Sequence, residues 1–181
     1  MSSLVSSYIN LDYQFFYVCL VEFPGLSACS ICSAGTFSGS PPDGMKIVNI
    51  QSLKCLMPLS GSTSNGVKVV TATCNGSTAQ YWQLTTMGQK RYTLINAQSK
   101  LCLNDPGYST IWGTVLVQWY CDTTSQNAFW TLSYDVASNS WIIINVFATL
   151  SLNASTADGT GVVLYPYGGG ANMRWRFELG W

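Results

Sequence analysis

The chain of 181 residues contains no histidine. That removes the usual general base near neutral pH and the commonest zinc ligand. Ser-His-Asp and Cys-His nucleophile systems are excluded with it. Charge is also scarce: Asp, Glu, Lys and Arg make up 9% of the residues, and the formal net charge is zero. Affinity for nucleic acid rests on clustered Lys and Arg facing phosphate. The basic residues here are scattered, with Lys90-Arg91 and Arg174/Arg176 the only close pairs, so nucleic acid is not an expected partner. Long hydrophobic runs are missing as well. The apolar run from Phe15 to Val21 is too short to span a membrane. No Lys or Arg precedes it and Asp12 and Glu22 flank it, which makes it a poor secretory signal. Paired-carboxylate hydrolysis needs two facing acids, one with a raised pKa. Asp105, Asp122, Asp135, Asp158 and Glu178 lie mostly in polar, turn-like stretches. No catalytic residue, metal site or cofactor is expected.

What the chain does have is a pattern written three times. Ile47-Val48-Asn49, Leu94-Ile95-Asn96 and Ile143-Ile144-Asn145 each head a similar stretch. Six residues after each Asn stands Cys55, Cys102 or Ser151. Gly66, Gly113 or Gly159 follows, and eight residues later Cys74, Cys121 or Tyr167. Each unit closes on Trp82, Trp130 or Trp175, and these are 48 and 45 residues apart. A period of that size marks units that bury their apolar faces only against one another. The closing tryptophans suit that packing.

Within the units the periodicity is that of strands. Lys68–Thr73, Tyr92–Asn96, Val115–Tyr120, Trp141–Asn145 and Val162–Tyr165 are rich in β-branched and aromatic residues and are bounded by turn formers. No stretch of a dozen residues carries apolar spacing of the helical kind. An all-β barrel with pseudo-threefold symmetry and about four strands per unit follows. That architecture is the β-trefoil, here over residues 45–181, with repeats near 45–91, 92–140 and 141–181. Cys55 and Cys74 are 19 residues apart, as are Cys102 and Cys121. The third unit has lost both positions together, which favours one disulfide in each of the first two. The alternative is two buried free thiols per unit.

Residues 1–44 match no unit and read as a short irregular segment containing Cys19, Cys29 and Cys32. Ser38 to Gly44 reads as a linker, because Pro and Gly clusters interrupt regular structure. Cys29-Ser30-Ile31-Cys32 lacks the further ligands of a zinc site and the strand-helix setting of a redox dithiol. The stretch around it faintly resembles small cysteine-rich extracellular repeats of the ephrin-receptor-like type.

From Met45 to Phe177 the chain resembles the ricin-type (R-type) β-trefoil lectins. The resemblance is carried by Cys55-Leu56, Cys102-Leu103 and Ser151-Leu152, and by the Gln-x-Trp element of Gln80-Tyr81-Trp82. That element is degenerate in Ala128-Phe129-Trp130 and Met173-Arg174-Trp175. The resemblance implies a shallow sugar pocket in each repeat, built from three residues. One is an acid two residues after the first Cys, one an aromatic two before the second, and one an Asn three before the Trp. An aromatic ring takes the apolar C–H face of a pyranose, Asn both donates and accepts, and a carboxylate accepts. The first repeat offers Met57, Ala72 and Ala79, which suit none of these roles. The second offers Asn104, Trp119 and Asn127, and the third Asn153, Tyr165 and Asn172. In both, Asn replaces the acid; Asp105 stands beside Asn104 as a substitute acceptor.

The expected function is a non-catalytic carbohydrate-binding domain with up to two weak sites. Its partners are glycans, galactose-type by the resemblance, and it suits a secreted or extracellular setting or a module of a larger multi-domain protein. The alternative is a β-trefoil used for protein contact, such as a protease inhibitor, without sugar binding. Asn75-Gly76-Ser77 and Asn153-Ala154-Ser155 are glycosylation sequons. A glycan on Asn153 would block the third pocket.

Overall fold

The computed structural model describes residues 44–179. The expected N-terminal segment, with Cys19, Cys29 and Cys32, lies outside the described residues except for Gly44.

Four strands form in each repeat. The first has β1 (Met45–Asn49), β2 (Cys55–Pro58), β3 (Val69–Ala72) and β4 (Tyr81–Thr86). The second has β5 (Tyr92–Asn96), β6 (Cys102–Asn104), β7 (Val117–Trp119) and β8 (Trp130–Asp135). The third has β9 (Ser140–Asn145), β10 (Ser151–Asn153), β11 (Val163–Tyr165) and β12 (Trp175–Leu179). Among the described residues, helix is confined to short 3-10 turns of three residues each, and no helix is long and apolar enough to cross a membrane.

The outer strands of the repeats close a ring. β1 pairs with β4, β4 with β5, β5 with β8, β8 with β9, β9 with β12, and β12 with β1, all antiparallel. Closure leaves no sheet edge in this six-stranded barrel. The inner strands pair as three hairpins, β2–β3, β6–β7 and β10–β11. Single bridges, Lys68 to Val117, Val70 to Gly161 and Val115 to Val163, tie each hairpin to the other two. A six-stranded barrel capped by a hairpin triplet is the β-trefoil, as the threefold pattern predicts.

One core serves all three repeats. Its members come in equivalent sets: Ile47, Leu94 and Ile143; Leu56, Leu103 and Leu152; Val69, Leu116 and Val162. Trp82, Trp130 and Trp175 are at most 1% exposed. Each indole Nε1 donates to the carbonyl of the leucine in its own repeat: Leu56 at 2.9 Å, Leu103 at 3.1 Å and Leu152 at 3.3 Å. The tryptophan thus buries a large apolar area and satisfies its one donor.

The two in-repeat disulfides are present, Cys55–Cys74 and Cys102–Cys121. In the third repeat a weaker device stands in their place. Ser151 Oγ donates to Tyr165 O at 3.2 Å, and Arg174 Nε donates to the Tyr167 hydroxyl at 3.1 Å. The degenerate Gln-x-Trp element also has a local cause. Gln80 is fully buried and grips the chain on either side of Cys74 with both ends of its amide. Its Nε2 donates to Thr73 O at 2.8 Å, and its Oε1 accepts from Asn75 N–H at 2.9 Å. The matching loop of the second repeat holds itself, because Asp122 accepts from the Thr124 amide, the Thr124 hydroxyl and the Ser125 hydroxyl. Ala128 therefore suffices there.

Candidate functional site

The hairpin ladders set the geometry of the candidate pockets. In the β6–β7 hairpin Cys102 faces Trp119 and Asn104 faces Val117. Strand alternation sends Leu103 and Gln118 into the interior, both fully buried, and leaves Asn104 and Trp119 on the opposite face. They are diagonal neighbours there, a relation that spans about 7–8 Å and lies within reach of an aromatic ring. The Trp119 ring is 47% exposed. Behind it, Gln118 Nε2 donates to Ser62 O and Ser64 O, and its Oε1 accepts from the Ser99 hydroxyl. The platform therefore stands on a pinned strand.

Asn127 lies at the centre of the 3-10 turn Gln126–Ala128. Its Nδ2 donates to Asn104 Oδ1 at 3.2 Å and to Asp105 O at 2.9 Å. The Asp105 amide returns a bond to Asn127 O at 3.0 Å. The third repeat repeats the arrangement. Asn153 faces Val163 and Ser151 faces Tyr165, so Asn153 and the half-exposed Tyr165 share one face. Asn172 Nδ2 donates to Asn153 Oδ1 at 2.9 Å, and the Ala154 amide donates to Asn172 O at 3.0 Å. In each of these repeats the two asparagines are joined and the ring sits diagonally beside them.

This pairing has a chemical consequence. The Asn104 and Asn153 oxygens each accept one hydrogen bond from their partners and keep a second lone pair, and the other ends of those amides are Nδ2 groups. They are donors, where a carboxylate would offer acceptors.

The three asparagines at the heads of the repeats position these clamps. Asn96 Nδ2 donates to Ala79 O, Asn145 Nδ2 to Asn127 O, and Asn49 Nδ2 to Asn172 O. Each head Asn thus holds the clamp position of the preceding repeat, and the chain of contacts runs full circle. Their Oδ1 atoms cap their own turns, accepting the amides two and three residues on.

The repeated glycines support the platforms across repeat boundaries. Gly66 N–H donates to Gln118 O, Gly113 N–H to Leu164 O, and Gly159 N–H to Thr71 O. Each carbonyl belongs to the residue just before the platform position of the next repeat. All three glycines have positive φ. A Cβ at Gly66 would come within 3.2 Å of Trp119 Cζ3, whereas one at Gly76, also at positive φ, would meet nothing within 4 Å. Gly66→Ala and Gly76→Ala should each cost about 1–2 kcal/mol for the left-handed backbone. Gly66→Ala alone should also shift Trp119 fluorescence and cost more in a denaturant melt. Equal melts and unchanged fluorescence would remove the ring contact.

The first repeat holds the same positions with other chemistry. Met57 and Ala79 are buried and form a small apolar cluster with Val70. Pro58 follows Met57 where Asp105 and Ala154 donate their amides, so the backbone bond to the clamp position cannot form. Ala72 supplies no ring. An open depression of about 410 Å³ remains, floored by Met57, Val70 and Ala72 and rimmed by Thr73, Asn75 and Ser77.

The acids are dispersed among different tasks. Hydrogen bonds from Ser125 and Thr124 hold Asp122 down to about 2. Asp135 is lowered by Ser138, and Asp158 by Lys54, with which it forms an ion pair at 2.6 Å. Asp105 differs. It has no solvent exposure, and neither carboxylate oxygen has a hydrogen-bond partner in normal geometry. Burial raises its pKa to about 6, opposed in part by the Ser109 backbone amide. The carboxylate is sealed in this conformation and does not open beside the Trp119 ring.

The ricin-type beta-trefoil lectin domain-like family matches residues 36–119 and 87–165 of the sequence. The chain belongs to this family. Among solved structures it is similar to the designed threefold-symmetric protein ThreeFoil, with a TM-score of 0.70 and 30% identity over 74% of this chain and 96% of that one. It is also similar to an exo-β-1,3-galactanase from Clostridium thermocellum, with a TM-score of 0.71 and 28% identity over 80% of this chain. That match takes in 31% of the galactanase chain. The ricin B-like lectin of Macrolepiota procera, solved with lactose, shares the fold at 23% identity and a TM-score of 0.64, over 79% of this chain and 99% of that lectin. No curated protein matches the chain in sequence.

Against the ricin-type pattern, two features around the candidate site are not apparent from the sequence. One is the cross-repeat support by the glycines, whose signal was their fixed distance before the second cysteine position. The other is Trp112, beside Gly113, which approaches Tyr165 from the neighbouring repeat.

Proposed function

We propose that residues 45–181 form a non-catalytic carbohydrate-binding domain with two weak sugar sites, preceded by a separate segment, residues 1–44. The second-repeat site consists of Asn104, Trp119 and Asn127, and the third-repeat site of Asn153, Tyr165 and Asn172. The observation that carries this reading is the joined asparagine pair beside a half-exposed ring, present in two repeats and missing from the first. Core packing does not call for an exposed ring at the end of an inner strand. The ligand class is a glycan whose pyranose offers an apolar face to the ring and hydroxyl oxygens to the amide donors. Galactose-type sugars fit the family. Open sites of this size bind weakly, so useful avidity needs both to engage one surface. Two disulfides suit a secreted or extracellular setting. Among the described residues, the acid with a raised pKa is sealed, and Asp122, Asp135 and Asp158 are held low.

The test is glycan-array and calorimetric binding of the intact chain and of Trp119→Ala/Tyr165→Ala. Each ring supplies on the order of 1 kcal/mol, and the double variant should lose detectable binding. Both rings are exposed enough that the melt should change little. A folded double variant that binds its glycan as before would sink the site assignment. If no glycan binds and a protease or another protein binds tightly, the first repeat's apolar depression becomes the site to explain.

A further inference from the structure

The residue just before the repeated glycine differs in each repeat: Asn65, Trp112 and Asp158. Because each glycine is bonded beside the next repeat's platform, this residue flanks the neighbouring pocket. The three pockets therefore receive three kinds of neighbour. Asn65 Oδ1 accepts the Tyr120 amide at 3.0 Å, next to Trp119. Asp158 Oδ2 accepts from the Thr73 hydroxyl at 3.1 Å, next to Ala72. Trp112 stands beside Tyr165 with ring centroids 6.4 Å apart and planes tilted by 43°.

Trp112 has no structural duty that explains it. Its side chain is 65% exposed, and it belongs to none of the core clusters. Scattered exposed apolar residues are ordinary, but Trp112 stands beside a second exposed ring, Tyr165, and adjoining exposed rings mark a binding surface. The Trp112 loop is well held. Ser109 Oγ and Thr114 Oγ1 are 2.7 Å apart, Thr114 Oγ1 donates to Ile111 O at 2.8 Å, and Gly113 N–H bonds Leu164 O at 2.8 Å. The ring is presented on a braced turn.

The spacing decides what the two rings can do together. A sugar sandwiched between them would need about 7–8 Å between ring planes, twice the ~3.5–4.0 Å of a carbon contact. At 6.4 Å and a 43° tilt the rings cannot admit one. They instead form one bent apolar platform, two rings long. A single pyranose covers one ring, and the bend suits the change of direction at a glycosidic bond.

We infer that the third-repeat site takes at least two linked sugar units, one on Tyr165 beside Asn153 and Asn172 and the next on Trp112 supplied by the second repeat. This rests on the sugar-binding reading above and adds to it a ligand length and a residue that sets it.

The test isolates the third site by using Trp119→Ala as the parent. The probes are galactose, lactose and the oligosaccharide that binds the unmodified chain best on an array, together with that oligosaccharide's terminal monosaccharide. Trp112→Ala should weaken the oligosaccharide by about five- to tenfold, the contribution of one ring contact. It should leave the monosaccharide unchanged, and Trp112→Phe should restore most of the loss. Tyr165→Ala should abolish both. If Tyr165→Ala abolishes binding while Trp112→Ala leaves oligosaccharide and monosaccharide alike, or weakens both equally, the extended platform is wrong and the sugar site stands. If the parent binds no probe while Trp112 and Tyr165 are intact and the fold is unchanged, the third-repeat site itself fails, and the inference with it.

Discussion

Replacing all four bridged cysteines by serine should bring this domain close to unfolding at room temperature. Cys55–Cys74 and Cys102–Cys121 each close a loop with a sequence separation of 19. Constraining a loop of that length stabilises by about 3 kcal/mol in the chain-entropy model. The loops do not overlap, so their contributions should nearly add. About 6 kcal/mol is a large share of the 5–15 kcal/mol that separates folded from unfolded states. Each Cys→Ser pair should lower the denaturant midpoint by a similar step, and the quadruple variant should melt near zero denaturant. A quadruple variant that loses less than about 1 kcal/mol would show that the barrel and triplet do not depend on the bridges. The third repeat already does without one, using Ser151 on Tyr165 O and Arg174 on Tyr167. Its hairpin should therefore be the least affected by reduction, which amide exchange by repeat would show.

The barrel was readable because its information is repeated. Asn49, Asn96, Asn145 and the three tryptophans recur in register in all three repeats, the cysteine spacing in two, and each recurrence has the same structural use wherever it occurs. The Leu-to-Trp bond repeats three times because the same indole must satisfy the same donor at the same depth. The candidate residues could be placed from sequence to this extent: Asn104 and Trp119 share a hairpin face, and Asn127 lies on the turn joined to it. Their wiring could not. Sequence spacing says that two asparagines are near each other, but not that the amide nitrogen of one donates to the oxygen of the other.

What crosses between repeats was harder still. Reading each repeat as its own pocket hides the head Asn that holds the previous repeat's clamp, and the glycine that underlies the next repeat's ring. Trp112 is the plainest case. In sequence it lies beside Gly113 in an irregular stretch, nine residues before Cys121, and nothing local connects it with Tyr165. Only closure of the hairpin triplet brings them to 6.4 Å. The head asparagines thus cap their own turns and also hold the candidate clamp positions of the preceding repeats, whose chemistry differs from repeat to repeat.

Asp105 should make this domain more stable at pH 5 than at pH 7.5. Its carboxylate is fully buried beside the second-repeat clamp, and the Asn127 Oδ1 atom is likewise buried without a partner. Acceptors are in surplus there, so the neutral acid, which carries a donor, is the form that the folded state favours. Burial accordingly raises its pKa from 3.8 to about 6. A raised acid binds its proton in the folded chain while the unfolded chain has already released it. Its stabilising effect is therefore present at low pH and lost as pH rises through about 6. The loss between pH 5 and 7.5 amounts to about 1.4 kcal/mol, roughly one pKa unit's worth. Asp122, Asp135 and Asp158 do not disturb that window, because their folded pKa values lie below 3.8 and they stay ionised in both states. Asp105→Asn should abolish the slope and raise stability at pH 7.5 by about 1–3 kcal/mol, since the amide carries donors into the same nook without a charge. Denaturant melts of both proteins at the two pH values decide it. A parent chain equally stable at pH 5 and 7.5 would mean that the carboxylate reaches solvent or a partner in solution. Glycan affinity gives a second reading of the same group. Asp105 exchanges backbone hydrogen-bonding contacts with Asn127, so ionisation that strains this corner should weaken the second site above pH 6 and leave the third, where Ala154 holds the equivalent place, unaffected.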